Sequence, residues 1–244
     1  MQYNYLAVHS PVAHCGGKGP GMPRDATETK QRILDAAKEQ VLERGYAGTS
    51  VDDIQKAAGI SRGTFFYHFP SKDHLARALI ERHAEEDHEL TESLMARAEK
   101  LASDPLQQAL VFLALHEEML EDIGPEGCLF ASYSYEAGLF DDRTHALITG
   151  ALEHWRQVLG GKLAEAMERH EPRVPHTDPY LLADLAAGVL QGGFIMRRAL
   201  NDRGLMTAHL RQFRSYLELL FGVSGPETTR GVDRAAAESL TGAQ

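Results

Sequence analysis

The sequence predicts an all-α protein in which a small unit of three helices is followed by a larger helical domain. Apolar residues recur at helical spacing along most of the chain, and no segment shows the alternating pattern of a half-buried strand. Several helical segments begin with a serine or an aspartate, which are good N-terminal caps. Hydrophobic residues make up 43% of the 244 residues, which is enough for a sizeable core.

Both ends of the chain lack a helical pattern. Residues 1–21 contain prolines and paired glycines, and residues 224–244 are polar and rich in alanine and glycine. Such composition does not bury enough apolar surface to fold, so we expect two disordered tails. A native start at either Met1 or Met22 is compatible with the sequence.

The sequence also carries information about the cellular location of the protein. The longest uninterrupted apolar run, Ala109–Leu115, is too short to cross a bilayer, and no basic segment precedes a long apolar stretch near the N-terminus. Two cysteines, Cys15 and Cys128, do not make a disulfide framework. We therefore expect a cytoplasmic protein without a membrane partner.

The charge is unevenly distributed. The whole chain has a net charge of −10, whereas basic and acidic residues balance between residues 22 and 74. The excess acid therefore lies outside the N-terminal unit. Non-specific attraction to a polyanion should be weak, so that local contacts decide what is bound.

The most informative stretch runs from Thr49 to Lys72. Ser50 can cap a first short helix, which ends at Gly59. Ser61 can cap a second helix, which must stop before Pro70 because proline disfavours helical geometry at the preceding residue. Two short helices joined by a tight turn form a helix-turn-helix, whose second helix enters the DNA major groove.

The second helix has one inward face, formed by Phe65 and Phe69 at a spacing of four residues. Its other faces carry a guanidinium, hydroxyls, an imidazole and a glycine that lets the backbone approach closely. These groups suit polar contacts with the bases and phosphates of a duplex. They belong to Arg62, Gly63, Thr64, Tyr67 and His68.

The segment Gly59–Leu75 resembles the signature of the tetracycline-repressor (TetR) family of transcription regulators, and the likeness extends over residues 27–75. Phe66 departs from the pattern, because many members have tyrosine there. The resemblance implies DNA contacts by the following residues, to which we add the helix cap Ser61: Ser50, Arg62, Gly63, Thr64, Tyr67, His68 and Lys72. We expect Arg62 to read a guanine and Thr64 to lie near a thymine methyl group. Phosphates are assigned to Ser50, Tyr67, His68 and Lys72.

The resemblance also implies an activity. Members of the family are ligand-responsive DNA-binding regulators, so we expect a homodimer on a palindromic operator of double-stranded DNA. Repression that a small lipophilic or aromatic effector relieves is the expected mode. The implied architecture is a helix-turn-helix DNA-binding domain over residues 22–75 and a ligand-binding and dimerisation domain over residues 76–223.

The helices are predicted in order from helical periods, caps and breakers. The first precedes the helix-turn-helix, and the fourth, capped by Ser71, connects the N-terminal unit with the second domain. The expected ranges outside the helix-turn-helix are 25–45, 71–100, 105–122, 128–135, 141–170, 178–201 and 206–221.

Aromatic and sulfur-containing side chains in the second domain are expected to line an effector pocket, although each of them also suits a plain hydrophobic core. An apolar pocket with few polar groups favours a flat or lipophilic ligand. The candidate residues are Phe112, His116, Met119, Cys128, Phe130, Tyr133, Trp155 and Phe194.

Cys128 allows a second interpretation. It follows Gly127 at the start of a predicted helix, where the helix N-terminus lowers the pKa of a thiol. A redox- or electrophile-sensing regulator that acts through Cys128 is therefore an alternative. The competing interpretation is a small residue of the core.

The last two helices carry the expected dimer contact, because in the family they form a four-helix bundle across the subunit boundary. Gly188, Gly192 and Gly193 would let helices approach closely, either across this boundary or within one chain. The apolar area is assigned to Val189, Leu190, Ile195, Leu210, Phe213, Leu217 and Leu220.

Twelve histidines raise the alternative of a helical-bundle enzyme or metal carrier. Glu85 and His88 have the spacing of a di-iron helix, but a second such pair is absent. His116-Glu117 lacks the second histidine of a zinc protease motif. We therefore predict no metal site, no catalytic residues and no cofactor.

Overall fold

The computed structural model describes residues 24–121 and 128–223, and these ranges contain nine α-helices and no strand. The all-α prediction is therefore confirmed for the described part of the chain. The predicted tails, residues 1–21 and 224–244, lie outside the described residues.

The helices begin and end within a few residues of their predicted positions. A short 3₁₀ turn, Ala137–Leu139, separates the sixth helix from the seventh. The helices are α1 (Arg24–Arg44), α2 (Val51–Ala58), α3 (Arg62–His68), α4 (Lys72–Leu101), α5 (Pro105–Glu121), α6 (Leu129–Tyr135), α7 (Asp142–Met167), α8 (Pro179–Leu200) and α9 (Leu205–Phe221).

The turn between α2 and α3 is built by the predicted capping residues. The side chain of Ser50 accepts a hydrogen bond from the Asp53 backbone amide (3.1 Å), and the Asp53 carboxylate accepts one from the Ser50 amide (3.0 Å), which makes a complete capping box. Gly59 ends α2 at φ 63°, a left-handed conformation that favours glycine. Ser61 caps α3 by accepting from the Thr64 amide (3.1 Å).

The N-terminal unit, α1 to α3, shares its hydrophobic core with the rest of the chain. Ile33 and Phe65 are fully buried and belong to a cluster with the first part of α4. Leu129 and Tyr133 of α6 belong to the same cluster. Since this core continues past residue 75, the N-terminal unit is packed against the second domain rather than attached by a linker.

A second hydrophobic cluster fills the larger domain. It joins the C-terminal half of α4 to α5, α7, α8 and α9, and Leu106, Leu163 and Leu210 are fully buried in it. Helices α7 and α8, and α8 and α9, pack along one another. The domain is thus a bundle whose last helix lies against α5 and α8.

Helix α9 turns its apolar face inward, which corrects one sequence prediction. Leu210, Phe213, Leu217 and Leu220 are buried within the chain, so the prediction that they supply an intersubunit surface is wrong. Packing of α9 against α5 and α8 covers this face. Large apolar side chains are exposed elsewhere on α8 and α9, namely Leu181, Leu185, Ile195, Met196, Leu200, Tyr216 and Leu219.

Helix α8 is the one described helix that is long and apolar enough to cross a bilayer, judged by length and composition alone. Its apolar residues are interrupted by polar ones, so no uninterrupted apolar run marks it in the sequence. One such helix is weak support for a membrane segment. An exposed apolar helix face is equally characteristic of a protein–protein interface.

Glycines set two close approaches between helices. A Cβ atom on Gly160 of α7 would lie 2.6 Å from Cδ1 and 3.1 Å from Cα of Tyr180 on α8. Gly193 approaches Met206 in the same way, with its Cβ position 3.1 Å from the Met206 Cα. Gly193 therefore serves packing within the chain, whereas Gly188 and Gly192 face open space.

The paired glycines of α7 provide a test of this packing. Gly160→Ala should lower the free energy of unfolding by about 1–3 kcal/mol, because the new methyl group overlaps Tyr180. Gly161→Ala is the matched control: nothing lies within 4 Å of its Cβ position. Alanine at that helical site should stabilise the protein by up to about 1 kcal/mol. Urea unfolding of both variants measures the difference, and equal stabilities would contradict the described contact.

Candidate functional site

Helix α3 presents a polar, exposed surface in which Arg62 is the most prominent cation. Its side chain is 71% exposed. The guanidinium lies 3.5 Å from the Asp52 carboxylate and 5.3 Å from the centre of the Phe66 ring. An exposed ion pair of this kind contributes about 0–1 kcal/mol, so Arg62 can exchange Asp52 for a base or a phosphate at low cost.

The other predicted DNA-contacting residues of α3 and its cap are exposed or partly buried. Tyr67 is 78% exposed and its ring meets that of His68 edge-on, with the centres 5.0 Å apart. Gly63 is exposed, with only the Ser61 hydroxyl near its Cβ position (3.8 Å). Thr64 is partly buried, and its hydroxyl lies 2.8 Å from the Ser61 hydroxyl.

Lys72 is held more tightly than the sequence indicated. Its ammonium group donates to the backbone carbonyl of Tyr46 and lies 3.9 Å from the centre of the Tyr46 ring. Burial lowers the pKa of Lys72. The ammonium has two further N–H donors, so a phosphate contact adds to this anchor without breaking it.

A hydrogen-bonded latch joins the N-terminal unit to α6. The Glu136 carboxylate accepts bonds from the backbone amides of Tyr46 (2.8 Å) and Ala47 (2.6 Å), which lie between α1 and α2. The Tyr46 hydroxyl donates to Asp73 (2.8 Å), and its ring packs against Phe140 with the centres 4.7 Å apart. The sequence analysis did not identify Glu136, because no local pattern relates it to Tyr46.

Hydrogen bonds from α8 make a second connection to the N-terminal unit. The Arg198 guanidinium donates to the backbone carbonyls of Leu42 (3.0 Å) and Glu43 (2.7 Å) in the last turn of α1. These carbonyls lack partners within the helix, and a cation at a helix C-terminus is favoured by the helix dipole. Arg198 thus fixes the end of α1 to the second domain.

The eight predicted effector residues fall into two groups. Phe112, His116 and Trp155 are buried in the core of the larger domain, and their ring centres lie 4.4–5.5 Å apart. Met119 and Phe194 are partly buried against that same core. Burial lowers the pKa of His116 to about 4, so its imidazole is neutral at pH 7.

The other three predicted effector residues belong to the cluster shared with the N-terminal unit. Tyr133 is fully buried and stacks on Phe140, with ring centres 4.3 Å apart. Phe130 is buried and lies 4.5 Å from the His83 ring. Cys128 caps the start of α6 and packs beside the cluster. The structure therefore does not bring all eight residues to one cavity wall.

The thiol of Cys128 does not have the depressed pKa that its position at a helix start predicted. Burial raises the pKa of the Cys128 thiol, and the backbone amides of Ala131 and Phe130 and the Gln191 amide offset this only in part. The Gln191 side chain donates to the Cys128 sulfur (3.3 Å). Desolvation of the thiolate outweighs the helix N-terminus here, which disfavours a thiolate sensor.

Two polar atoms without hydrogen-bond partners lie beside α6, one on Gln191, which contacts Cys128, and one on His83, which packs against Phe130. The Gln191 Oε1 atom and the His83 Nδ1 atom are both buried and unpartnered. Burial lowers the pKa of His83 to about 4, so this ring is neutral at pH 7. A buried polar atom without a partner is costly, and an incoming polar group would relieve that cost. Helices α4, α6 and α8 contribute His83, Cys128 and Gln191 to this region.

A cavity of about 320 Å³ lies between α4 and α7, apart from the predicted effector residues. Its walls include the side chains of Glu81, Glu85, Asp87, His88 and His154, and none of the eight predicted residues lines it. Asp87 is partly buried, and this burial raises its pKa to about 6. The cavity is therefore acidic and suited to a cationic group.

The raised pKa of Asp87 makes stability depend on pH. Between about pH 4 and pH 6 the folded state holds a proton that the unfolded state has released, so stability falls as the pH rises through this window. Asp87→Asn should therefore raise the free energy of unfolding by about 1–2 kcal/mol at pH 7, with the gain vanishing near pH 4. Urea unfolding at both pH values measures the effect. Glu118→Gln, at an exposed site of α5, serves as control, and a gain equal at both pH values would contradict this cause.

Two family models match the chain over the elements described above. A model of "Bacterial regulatory proteins, tetR family" matches residues 33–79, and one of a "Tetracyclin repressor-like, C-terminal domain" matches residues 105–213. The first match spans α2, α3 and parts of α1 and α4. The second spans the bundle from α5 into α9.

Relatives and solved structures agree with these matches. The transcriptional regulator AcuR of Cereibacter sphaeroides is 31% identical over 188 residues, which cover 77% of this chain and 83% of AcuR. The HTH-type transcriptional repressor DhaR of a Mycobacterium strain is 25% identical over 177 residues, covering 72% of this chain and 86% of DhaR. The crystal structure of a TetR-family regulator from Agrobacterium tumefaciens is similar in fold, with a TM-score of 0.66 at 22% identity, over 78% of this chain and 98% of that one.

Proposed function

Because the chain belongs to the TetR family of bacterial transcriptional regulators, we propose that it is a homodimeric repressor which a small lipophilic or aromatic effector releases from a palindromic operator. Members of this family are DNA-binding regulators rather than enzymes, are often repressors, act as dimers and are typically cytoplasmic. We assign operator binding to residues 22–75, effector binding and dimerisation to residues 76–223, and a cytoplasmic location to the whole chain.

The exposed side of α3 is the observation that carries this proposal. The side chains of Arg62 and Tyr67 are exposed, while Phe65 and Phe69 are buried in the core and anchor the helix there. In our assignment Arg62 reads a guanine and Thr64 lies near a thymine methyl group. Phosphates are assigned to Ser50, Tyr67, His68 and Lys72, with Ser61 and Gly63 at the closest approach of the backbone.

The exposed apolar face of α8 and α9 supports the dimer. Leu181, Leu185 and Ile195 are about half exposed. Contiguous exposed apolar side chains of this kind are typical of a surface that a protein partner covers. A second copy of the chain is the occupant we propose. A palindromic operator requires two α3 helices in successive major grooves, about 34–36 Å apart, and we propose that a twofold axis through this face provides that arrangement.

We propose that the effector enters between the two predicted groups of residues, beside α6. Phe112, His116, Met119, Trp155 and Phe194 offer apolar contact on one side, and Phe130 and Tyr133 on the other. Cys128 accepts a hydrogen bond from the Gln191 amide, whose Oε1 atom is unpartnered, and we include it in the binding region. An effector that enters here displaces α6, and the Glu136 latch carries this movement to the N-terminal unit. Such a coupling is typically worth about 1–3 kcal/mol.

Binding to the DNA upstream of the protein's own gene is the direct test of the proposed function. Fluorescence anisotropy of a labelled fragment, measured at two salt concentrations, should give tight binding that weakens as salt rises. A scrambled fragment of the same composition is the control. Equal affinity for both fragments would contradict operator-specific regulation.

Removal of the Arg62 guanidinium should weaken operator binding and relax its specificity. Arg62→Ala should cost about 1–3 kcal/mol and make one operator position tolerant of base changes. Arg143→Ala, which removes an exposed cation from α7, controls for net charge. A uniform loss of affinity for all sequences would reassign Arg62 to a phosphate, and an unchanged affinity would exclude it from the interface.

Loss of the latch should weaken operator binding without removing a phosphate contact. Glu136→Ala frees the amides of Tyr46 and Ala47, so the orientation of the N-terminal unit becomes less fixed. We expect an affinity loss of about 0.5–2 kcal/mol, with an unchanged slope of log affinity against log salt concentration. Glu153→Ala, an exposed α7 variant with the same charge change, should bind as the wild type does. A changed slope would indicate a direct effect on DNA contacts instead.

A further inference from the structure

Two histidines and a glutamate meet across the contact between α4 and α7. His88 and Glu92 lie four residues apart on one face of α4, and His154 projects from α7. The centres of the two imidazole rings are 3.8 Å apart. Each residue offers one donor atom, and the three donor atoms lie within 4.8 Å of one another.

The donor geometry is close to that of a metal site. Zinc binds nitrogen and oxygen ligands at about 2.0–2.2 Å, so two ligands of a tetrahedral ion are about 3.4 Å apart. The His154 Nε2 and Glu92 Oε1 atoms are 3.4 Å apart. The His88 nitrogen lies within 4.8 Å of both atoms, so this side chain must move closer for all three ligands to bind one ion.

The His154 ring offers a buried nitrogen to the cluster. Its Nε2 atom makes no hydrogen bond and lies 3.4 Å from the Glu92 carboxylate oxygen. Glu81, Glu85 and Asp87 line the adjoining cavity and make the surroundings negative.

We propose that His88, Glu92 and His154 form a three-ligand site for a divalent transition-metal ion of the zinc, nickel and cobalt class, with water in the remaining position. Imidazole nitrogen selects these ions over calcium and magnesium, which prefer sites of oxygen ligands alone. The ion would cross-link α4 to α7. Because α4 continues into the N-terminal unit, the site holds that unit's supporting helix against the larger domain.

This inference changes the prediction that the chain binds no metal. The sequence analysis paired His88 with Glu85, its neighbour along the helix. The structure pairs His88 with a histidine of another helix, which no spacing within α4 reveals.

The test uses the full chain without a histidine tag, freed of metal by a chelator. Titration with Co²⁺, followed by its visible d–d absorption, reports the ligand set, and Zn²⁺ competition against a metal-binding dye reports the affinity. We expect saturation at one ion per chain. His154→Gln should weaken Zn²⁺ binding by at least about 10–100-fold. His145→Gln, also on α7 but outside the cluster, is the matched control and should bind as the wild type does.

Glu92→Gln gives a second variant in which folding is unaffected, since this side chain is mostly exposed. It should also weaken Zn²⁺ binding. Zn²⁺ should raise the unfolding temperature of the wild type and of His145→Gln, but not of His154→Gln, because binding stabilises only a folded protein that has the site. Equal Zn²⁺ affinity in the wild type and His154→Gln, or no saturable binding by the wild type, would overturn the proposal.

Discussion

Two hydrogen bonds from consecutive backbone amides to the Glu136 carboxylate tie the N-terminal unit to α6. Charge-assisted bonds of this kind are among the stronger hydrogen bonds in proteins. Because α6 is short and begins directly after Cys128, the region proposed for the effector lies one small helix away from the latch. A displacement at one end of a rigid helix reaches the other end with little loss, and the latch then passes it to α2 and α3.

The hydrophobic cluster that the N-terminal unit shares with α6 restricts the movement of the two relative to each other, in addition to the latch. Tyr46, Tyr133 and Phe140 pack ring against ring between the N-terminal unit and α6, so the unit cannot turn without disturbing them. Arg198 fixes the end of α1 from α8 in addition. The helix-turn-helix is therefore oriented by the larger domain at three points. The proposed release by an effector would require two such orientations, and in the proposed site the unpartnered His83 and Gln191 atoms would contact the effector.

Local signals predicted most of the fold, whereas contacts between distant segments escaped the sequence analysis. Ser50, Gly59 and Ser61 act on their own helix ends, so their roles follow from neighbouring residues. The contact between Glu136 and the Tyr46 amide depends on how the helices pack. The burial of the apolar face of α9 does too, because an amphipathic pattern does not reveal whether a helix of the same chain or of a partner covers the apolar face. The eight aromatic and sulfur-containing residues were all suited to a core, and composition alone gave no sign that they divide between two clusters.

Hydrogen exchange at the amides of Tyr46 and Ala47 tests the central claim most directly, because these two groups are the latch. Their exchange rates should be compared in the wild type and in Glu136→Ala, with α7 amides as internal reference. We expect both amides to exchange slowly in the wild type, and to exchange much faster in the variant while the α7 amides keep their protection. Fast exchange of both amides in the wild type, or equal rates in the two proteins, would contradict the account.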